Sequence, residues 1–390
     1  MLTWKQRMLR FNKRHKKKAV LHTSIAAVIT FVGIILLNML DQPEAIQVKK
    51  NPQDQLTVSL VGDMMFGRNI QDVVIPNKGY DYLFEYATPF FKVSDFVTAN
   101  FENPITLGEN YPKADKYIHL NTKPEAATAV KKAGISVVSL ANNHMKDFGK
   151  QGLVDTIKTF NKVDVDTVGA GSDLGNATKI SYKTKNGVKI ATLGISDVLP
   201  KGFGAQKNRS GIALAKPSIF FPLVAKAKKN ADLVIVHVHW GLEYDSSYHP
   251  RQKDLAHALI DAGADIIVGH HPHVLESVEV YKNGVIFYSL GNFIFDQGWS
   301  RTRESVLAQY KIGRDGKARI EIHPMYIREG RPRPVTGWTN VYRREKIFAQ
   351  ITDEMMYTNK WNQVWKREGD KIIREIGHVK LATGGNKHAK

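Results

Sequence analysis

The chain has 390 residues, 43% hydrophobic and 24% charged, which allows one substantial core or two modest ones and excludes global disorder. It contains no cysteine, so disulfides, thiolate metal sites and cysteine nucleophiles are excluded; a metal would need imidazole, carboxylate or amide ligands. The net charge is +19; eight basic residues and no acidic one fall within residues 1–18, and +19 less these eight leaves +11 for the rest. Such a surplus favours polyanionic partners, but there is no zinc-finger spacing and no aromatic RNA-binding motif, so nucleic acid is not expected.

The basic segment runs into AVLHTSIAAVITFVGIILLNML at 19–40, 22 residues without a formal charge. A helix of this length crosses the ~30 Å hydrocarbon layer of a bilayer. The basic flank predicts a cytoplasmic N-terminus and an external main domain. A cleaved signal peptide fits less well, because its apolar stretch usually runs about 7–15 residues and no small-x-small site follows here. A buried core helix is disfavoured by the flanking charges. Residues 41–55, polar with two prolines, read as a linker.

Beyond the linker, β-branched apolar runs alternate with amphipathic stretches. Strands are predicted at 56–62, 96–101, 137–141, 165–168, 189–195, 233–239, 265–269 and 285–290. Helices are predicted at 124–133, 152–161, 217–229 and 250–262, three of them opening on a proline that suits a first helical turn. This alternation predicts an α/β fold with a substantial sheet. Past 285 strands dominate, with 305–312 and 318–326 as an antiparallel pair. From 329 the chain turns basic and polar. The expected organisation is a cytoplasmic segment 1–18, a signal-anchor 19–40, a linker 41–55, a main domain 56–328, and an extension with a flexible tail over 329–390.

Five apolar runs end in residues of metal-ligand type: Asp63 in SLVGDMMFGR, Glu102 in TANFENP, Asn143 and His144 in SLANNH, His239 in VIVHVHWG, and His271 and His273 in IIVGHHPH. In open α/β sheets, sites form beyond the carboxyl ends of strands. Taken singly, each has an ordinary reading as a turn, a cap or a surface charge. Taken together they point to a metal centre. Carboxylates mixed with imidazoles suit Mn, Zn or Fe. Two ions about 3.5–4 Å apart, bridged by a carboxylate, clamp a phosphoryl group and generate a hydroxide nucleophile. A neighbouring histidine that is not a ligand can protonate the leaving group.

His237 shares a strand face with His239 and reads as its support, and His270 reads as an outer neighbour of the ligands. Asn142, Arg68, Asn292 and Asp296 are candidates to line the pocket or meet an anionic substrate. Trp240 is a candidate to flank it, although aromatic packing explains such a residue equally well.

The motifs GDMMFGR, NFENP, ANNH, HWGLEYD, GHHPHVLE and YSLGNFIFDQ, in this order over about residues 56–312, resemble the CapA/PgsA family of poly-γ-glutamate capsule biosynthesis proteins. That family in turn is similar to the calcineurin-like metallophosphoesterases. The resemblance implies a two-sheet sandwich flanked by helices, preceded by one transmembrane helix, with a dinuclear site at strand ends. It implies Asp63 as the first-strand ligand, Glu102 in the bridging position, Asn143 on the second ion and His144 as general acid, with His239, His271 and His273 completing the set. Two departures stand out. Met65 occupies the place of the histidine in the usual Asp-x-His, and Glu102 replaces a bridging Asp, so one or two ions remain open.

The implied role is an extracytoplasmic, membrane-anchored component of poly-γ-glutamate synthesis and export, working with membrane-bound synthase subunits. The +11 surplus has the sign expected for handling that polyanion. Two other readings are an active cell-surface hydrolase of a phosphoester or amide bond, and a non-catalytic scaffold of the synthase complex.

Overall fold

A computed structural model describes residues 2–40, 47–352 and 364–378. Two mixed sheets form the body. The larger has ten strands, built around Asp54–Met64, Phe96–Phe101, Val137–Ser139 and Asp166–Val168, which run parallel. Glu304–Gly313 and Lys317–Arg328 continue it antiparallel on the other side. The smaller has six strands, with Val188–Ser196, Leu233–His239, Ile266–His270 and Gly284–Phe287 in parallel at its centre.

Period-two alternation explains how the sheets stack. Leu56, Val58 and Leu60 from one sheet meet Leu233, Ile235, Ile266 and Val268 from the other in one buried cluster. The opposite faces are also apolar, so each sheet needs cover. The helices Glu125–Lys132 and Gly149–Lys162 bury Ala126, Val130, Leu153 and Phe160 against the larger sheet. Pro217–Asn230 and Pro250–Asp261 bury Phe220, Val224, Leu255 and Leu259 against the smaller. The outcome is an α/β two-sheet sandwich flanked by helices. The predicted strands and helices of 56–328 all recur within a few residues of their expected limits.

The segment after 328 is more deeply built in than its polar composition suggests. Arg331–Pro334 and Lys371–His378 pair with Lys317–Arg328. The helix Val341–Ile351 inserts Ile347, Phe348 and Ile351 into the core between the sheets, beside Trp365 and Ile372. A few apolar residues spaced along a basic stretch suffice for this, and their pattern is hidden by the charge around them. Of the extension and tail expected over 329–390, residues 353–363 and 379–390 lie outside the described residues, as do linker residues 41–46.

At the N-terminus the helix Ala19–Leu40 follows Trp4–Lys16. Its first 18 residues, Ala19–Leu36, are unburied and form a span long and apolar enough to cross a membrane.

Candidate metal centre

Because the central strands of both sheets run parallel, their carboxyl ends collect at one edge. Asp63 is next to last in Asp54–Met64, Glu102 directly follows Phe96–Phe101, and Asn142, Asn143 and His144 follow Val137–Ser139. His239 and His270 end adjacent strands and are register partners. His271 and His273 lie just beyond. None of these residues is more than 9% exposed.

Two glycines allow the crowding. A Cβ on Gly62, beside Asp63, would sit 1.9 Å from the Gly291 carbonyl oxygen, and one on Gly269 would sit 1.9 Å from that of Tyr288. Backbone strain gathers at the same edge: His271, His273, Arg68 and Tyr244 have φ of 99°, 58°, 50° and 67°, in the left-handed region that side chains disfavour.

Two buried ligand sets meet at this edge. Glu102, His239 and His271 bring one potential ligand atom each to within 4.8 Å of one another, and so do Asp63, Glu102 and His273. Glu102 belongs to both. Its Oε1 lies 3.8 Å from His239 Nε2 and 3.6 Å from His273 Nε2. That oxygen is buried with no hydrogen-bond partner, as are Nδ1 of His239 and Nδ1 of His271. A buried carboxylate oxygen without a donor is costly, and a cation between these groups removes the cost. Asn143 Oδ1 stands 3.1 Å from His239 Nε2, at the first set. The donor set of oxygens and imidazole nitrogens fits a divalent ion of borderline hardness.

The electrostatics agree. Burial and then the neighbouring Asp63 charge push the Glu102 carboxyl well above its ordinary range. Burial also acts upward on Asp63, but hydrogen bonds and charge from His270 and His273 hold it well below the usual carboxylate range. Burial, then the His271 charge, pushes the His239 imidazole well down, and burial takes His271 to about 3. Neutral imidazoles are the form that binds metal.

His237 and His270 form a buried chain behind Asp63. Thr98 Oγ1 is 2.8 Å from His237 Nε2, His237 Nδ1 is 2.9 Å from His270 Nε2, and His270 Nδ1 is 2.9 Å from Asp63 Oδ1. His270 thus stands behind Asp63, and His237, expected to support His239, backs His270 instead. Asn142 donates to Asn100 Oδ1 and to the Phe101 carbonyl, and accepts from the His144 backbone N–H, which shapes the turn carrying Asn143. Asn292 contacts His273, and Arg68 pairs with Asp296 at the rim while stacking over Phe295.

Trp240 departs from expectation. It is fully buried in the cluster on the outer face of the smaller sheet, donating from Nε1 to the Tyr288 carbonyl, and so packs the fold and does not flank the site. It follows His239 directly, and strand alternation turns it to the other face. Met65 is also buried, in a small apolar cluster with Leu120 and Phe295.

Several neighbours were not singled out from sequence. Asn100 donates to Asp63 Oδ1 at 2.8 Å. Asp147 Oδ2 is 2.7 Å from His144 Nδ1, and Lys116 Nζ reaches Asp147 Oδ1 and the Asn143 carbonyl at 2.8 Å each. Glu243 forms a third group with His271 and His273 at the exposed side. The i, i+3 spacing of His144 and Asp147 was a usable signal; Lys116, from a distant loop, had none.

Comparison with known proteins places the chain. Residues 57–297 match the model of the bacterial capsule synthesis protein PGA_cap family. The PGA biosynthesis protein CapA of Bacillus subtilis (strain 168) is 46% identical over 378 residues, covering 97% of each chain. The capsule biosynthesis protein CapA of Bacillus anthracis is 44% identical over 97% of this chain and 92% of its own. Among solved structures, a 5'-nucleotidase precursor from Thermus thermophilus is similar at 13% identity and a TM-score of 0.40, over 78% of this chain and 60% of that one. With a family model matched along most of its domain and relatives matched over more than nine-tenths of their length, this chain belongs to the bacterial capsule synthesis protein PGA_cap family.

Proposed function

We propose that this protein is the membrane-anchored, extracytoplasmic component of poly-γ-glutamate capsule synthesis and export, and that its cleft holds a pair of divalent ions bridged by Glu102. The observation that carries the metal reading is the buried, unpartnered Glu102 Oε1 common to two ligand sets. The capsular role is supported by the two CapA relatives, one a PGA biosynthesis protein and the other a capsule biosynthesis protein. The apolar helix Ala19–Leu40, with eight basic residues before it, supports an anchor with the N-terminus inside and the main domain outside.

In this reading Asp63 and His273 hold one position, Asn143, His239 and His271 the other, and Glu102 both. Mn, Zn or Fe suits the donor set, and such ions supply Lewis acidity and a lowered water pKa when bound. His237, His270 and Asn100 fix Asp63, and Asp147 holds His144 through Nδ1, leaving Nε2 free to carry a proton. Arg68, paired with Asp296 at the rim, is positioned to meet an anionic group.

The pairing of His144 with Asp147 beside Asn143 favours a second reading, an active hydrolase of a phosphoester or amide bond, because a scaffold has no use for an oriented proton donor. The test is hydrolysis of a generic phosphodiester by the full chain in detergent with Mn²⁺ or Zn²⁺ added. Turnover that disappears in Asn143→Ala and His144→Ala supports the hydrolase; bound metal without turnover in any substrate class leaves the metal-holding synthase subunit.

A further inference from the structure

The two ion positions of the cleft are unequally furnished. Glu102, His239 and His271, with Asn143 beside them, offer four ligand groups at one, whereas Asp63, Glu102 and His273 offer three at the other. Met65 does not make up the difference. Its side chain packs with Leu120 and Phe295, and its sulfur accepts from the Gly67 backbone N–H at 3.0 Å. A thioether also suits soft ions, not the ones that carboxylates select.

A third carboxylate stands at the open side of the same cleft. Glu243 brings an oxygen to within 4.8 Å of a ligand nitrogen of His271 and one of His273, and those two nitrogens are equally near each other. Both histidines are more than nine-tenths buried, and His271 Nδ1 has no hydrogen-bond partner. An unpartnered buried nitrogen beside a carboxylate is relieved by a cation shared between them. The turn that carries Glu243 is tied to the histidine segment. The Tyr244 backbone N–H donates to the carbonyl of Pro272, the residue between His271 and His273, at 2.8 Å. Gly241 and Tyr244 hold left-handed φ of 78° and 67°, and the Tyr244 ring lies 6.3 Å from that of His273. Glu243 itself is exposed, so core packing does not account for its place.

We propose that Glu243 is a ligand of the ion held by Asp63, Glu102 and His273, completing from the solvent side the position that Met65 leaves short. This rests on the reading of the cleft as a two-ion centre. Three carboxylates and one imidazole then surround that ion, against one carboxylate, one amide and two imidazoles at the other. Carboxylate-rich sites suit Mn²⁺ and imidazole-rich sites suit Zn²⁺, so the two positions differ in the ion they prefer.

The test is Mn²⁺ titration of the metal-stripped full chain in detergent. Bound ions are counted by elemental analysis, and paired Mn²⁺ is detected by its magnetic coupling in electron paramagnetic resonance. The expected result is two coupled ions in the parent. In Glu243→Ala and Glu243→Gln one ion binds with parental affinity, the other binds at least about tenfold more weakly, and the coupling is lost at Mn²⁺ levels that just saturate the parent. Glu243→His restores the second ion but prefers Zn²⁺ to Mn²⁺ there, which a residue acting through charge alone would not do. His273→Ala weakens the same ion, so Glu243→Ala with His273→Ala still holds one. Because Glu243 is exposed, its variants keep the fold. Two ions bound by the parent and equally well by Glu243→Ala and Glu243→Gln would overturn this proposal alone. One ion or none in the parent would overturn the two-ion reading along with it. Glu243→His behaving as Glu243→Gln, or no ion in the double variant, would overturn the assignment of Glu243 to this position.

Discussion

His273 Nδ1 lies 2.9 Å from Asn292 Oδ1, and this contact decides which nitrogen faces Glu102. Asn292 Nδ2 donates to the Thr302 carbonyl and to Gln297 Oε1, so the amide must present its oxygen to His273. The imidazole proton is then on Nδ1, and the Nε2 lone pair points toward Glu102 Oε1, 3.6 Å away. Asn292→Leu removes that assignment without touching a ligand. Metal affinity in a chelator competition is expected to fall about 10- to 100-fold. Unchanged affinity would show that His273 needs no such orientation.

His144 is held by Asp147 outside both ligand sets. His144→Ala is expected to leave the metal content nearly intact while impairing capsule polymer production in cells. A parallel loss of metal on elemental analysis would make His144 a ligand. His271→Ala, by contrast, is expected to lower metal content.

Glu276 offers a pH test away from the ligands. It is fully buried, Gln252 donates to its Oε2 at 2.8 Å, Oε1 is unpartnered, and burial pushes its carboxyl up to about 8. A raised folded-state pKa means that its stability contribution is fully present below about 4.5 and is lost as pH climbs through about 8. Glu276→Gln keeps the acceptor and removes the charge. Stability at pH 9 is expected to rise by a few kcal/mol, at about 1.4 kcal/mol per unit of pKa, with little change at pH 5. Parallel denaturation midpoints for both proteins across pH 5–9 would contradict this.

Deleting residues 2–40 removes the apolar helix and all eight residues of the basic cluster. The remaining chain is expected in the soluble fraction after ultracentrifugation. Continued sedimentation with membranes would place a further membrane contact in the main domain.

Much of this was legible in the sequence because parallel strands announce themselves twice. Leu233–His239 and Ile266–His270 read as apolar runs, and each ends in a histidine at the edge where the potential ligands gather. What period and motif cannot carry is contact across the chain. Lys116 reaches His144 from a loop with no pattern of its own. Trp240 follows a site histidine in sequence yet faces away from it, since one step along a strand reverses the side chain. The C-terminal segment hid its core residues, Ile347, Phe348 and Trp365, among arginines and lysines.

Glu102 is common to two ligand sets, so its loss should disturb both. Elemental analysis of the purified full chain, alongside Glu102→Gln, measures this. The expected result is two divalent ions per chain in the parent and one or none in the variant, since both ligand sets share that carboxylate. Two ions retained in Glu102→Gln, or none bound by the parent at saturating metal, would contradict it.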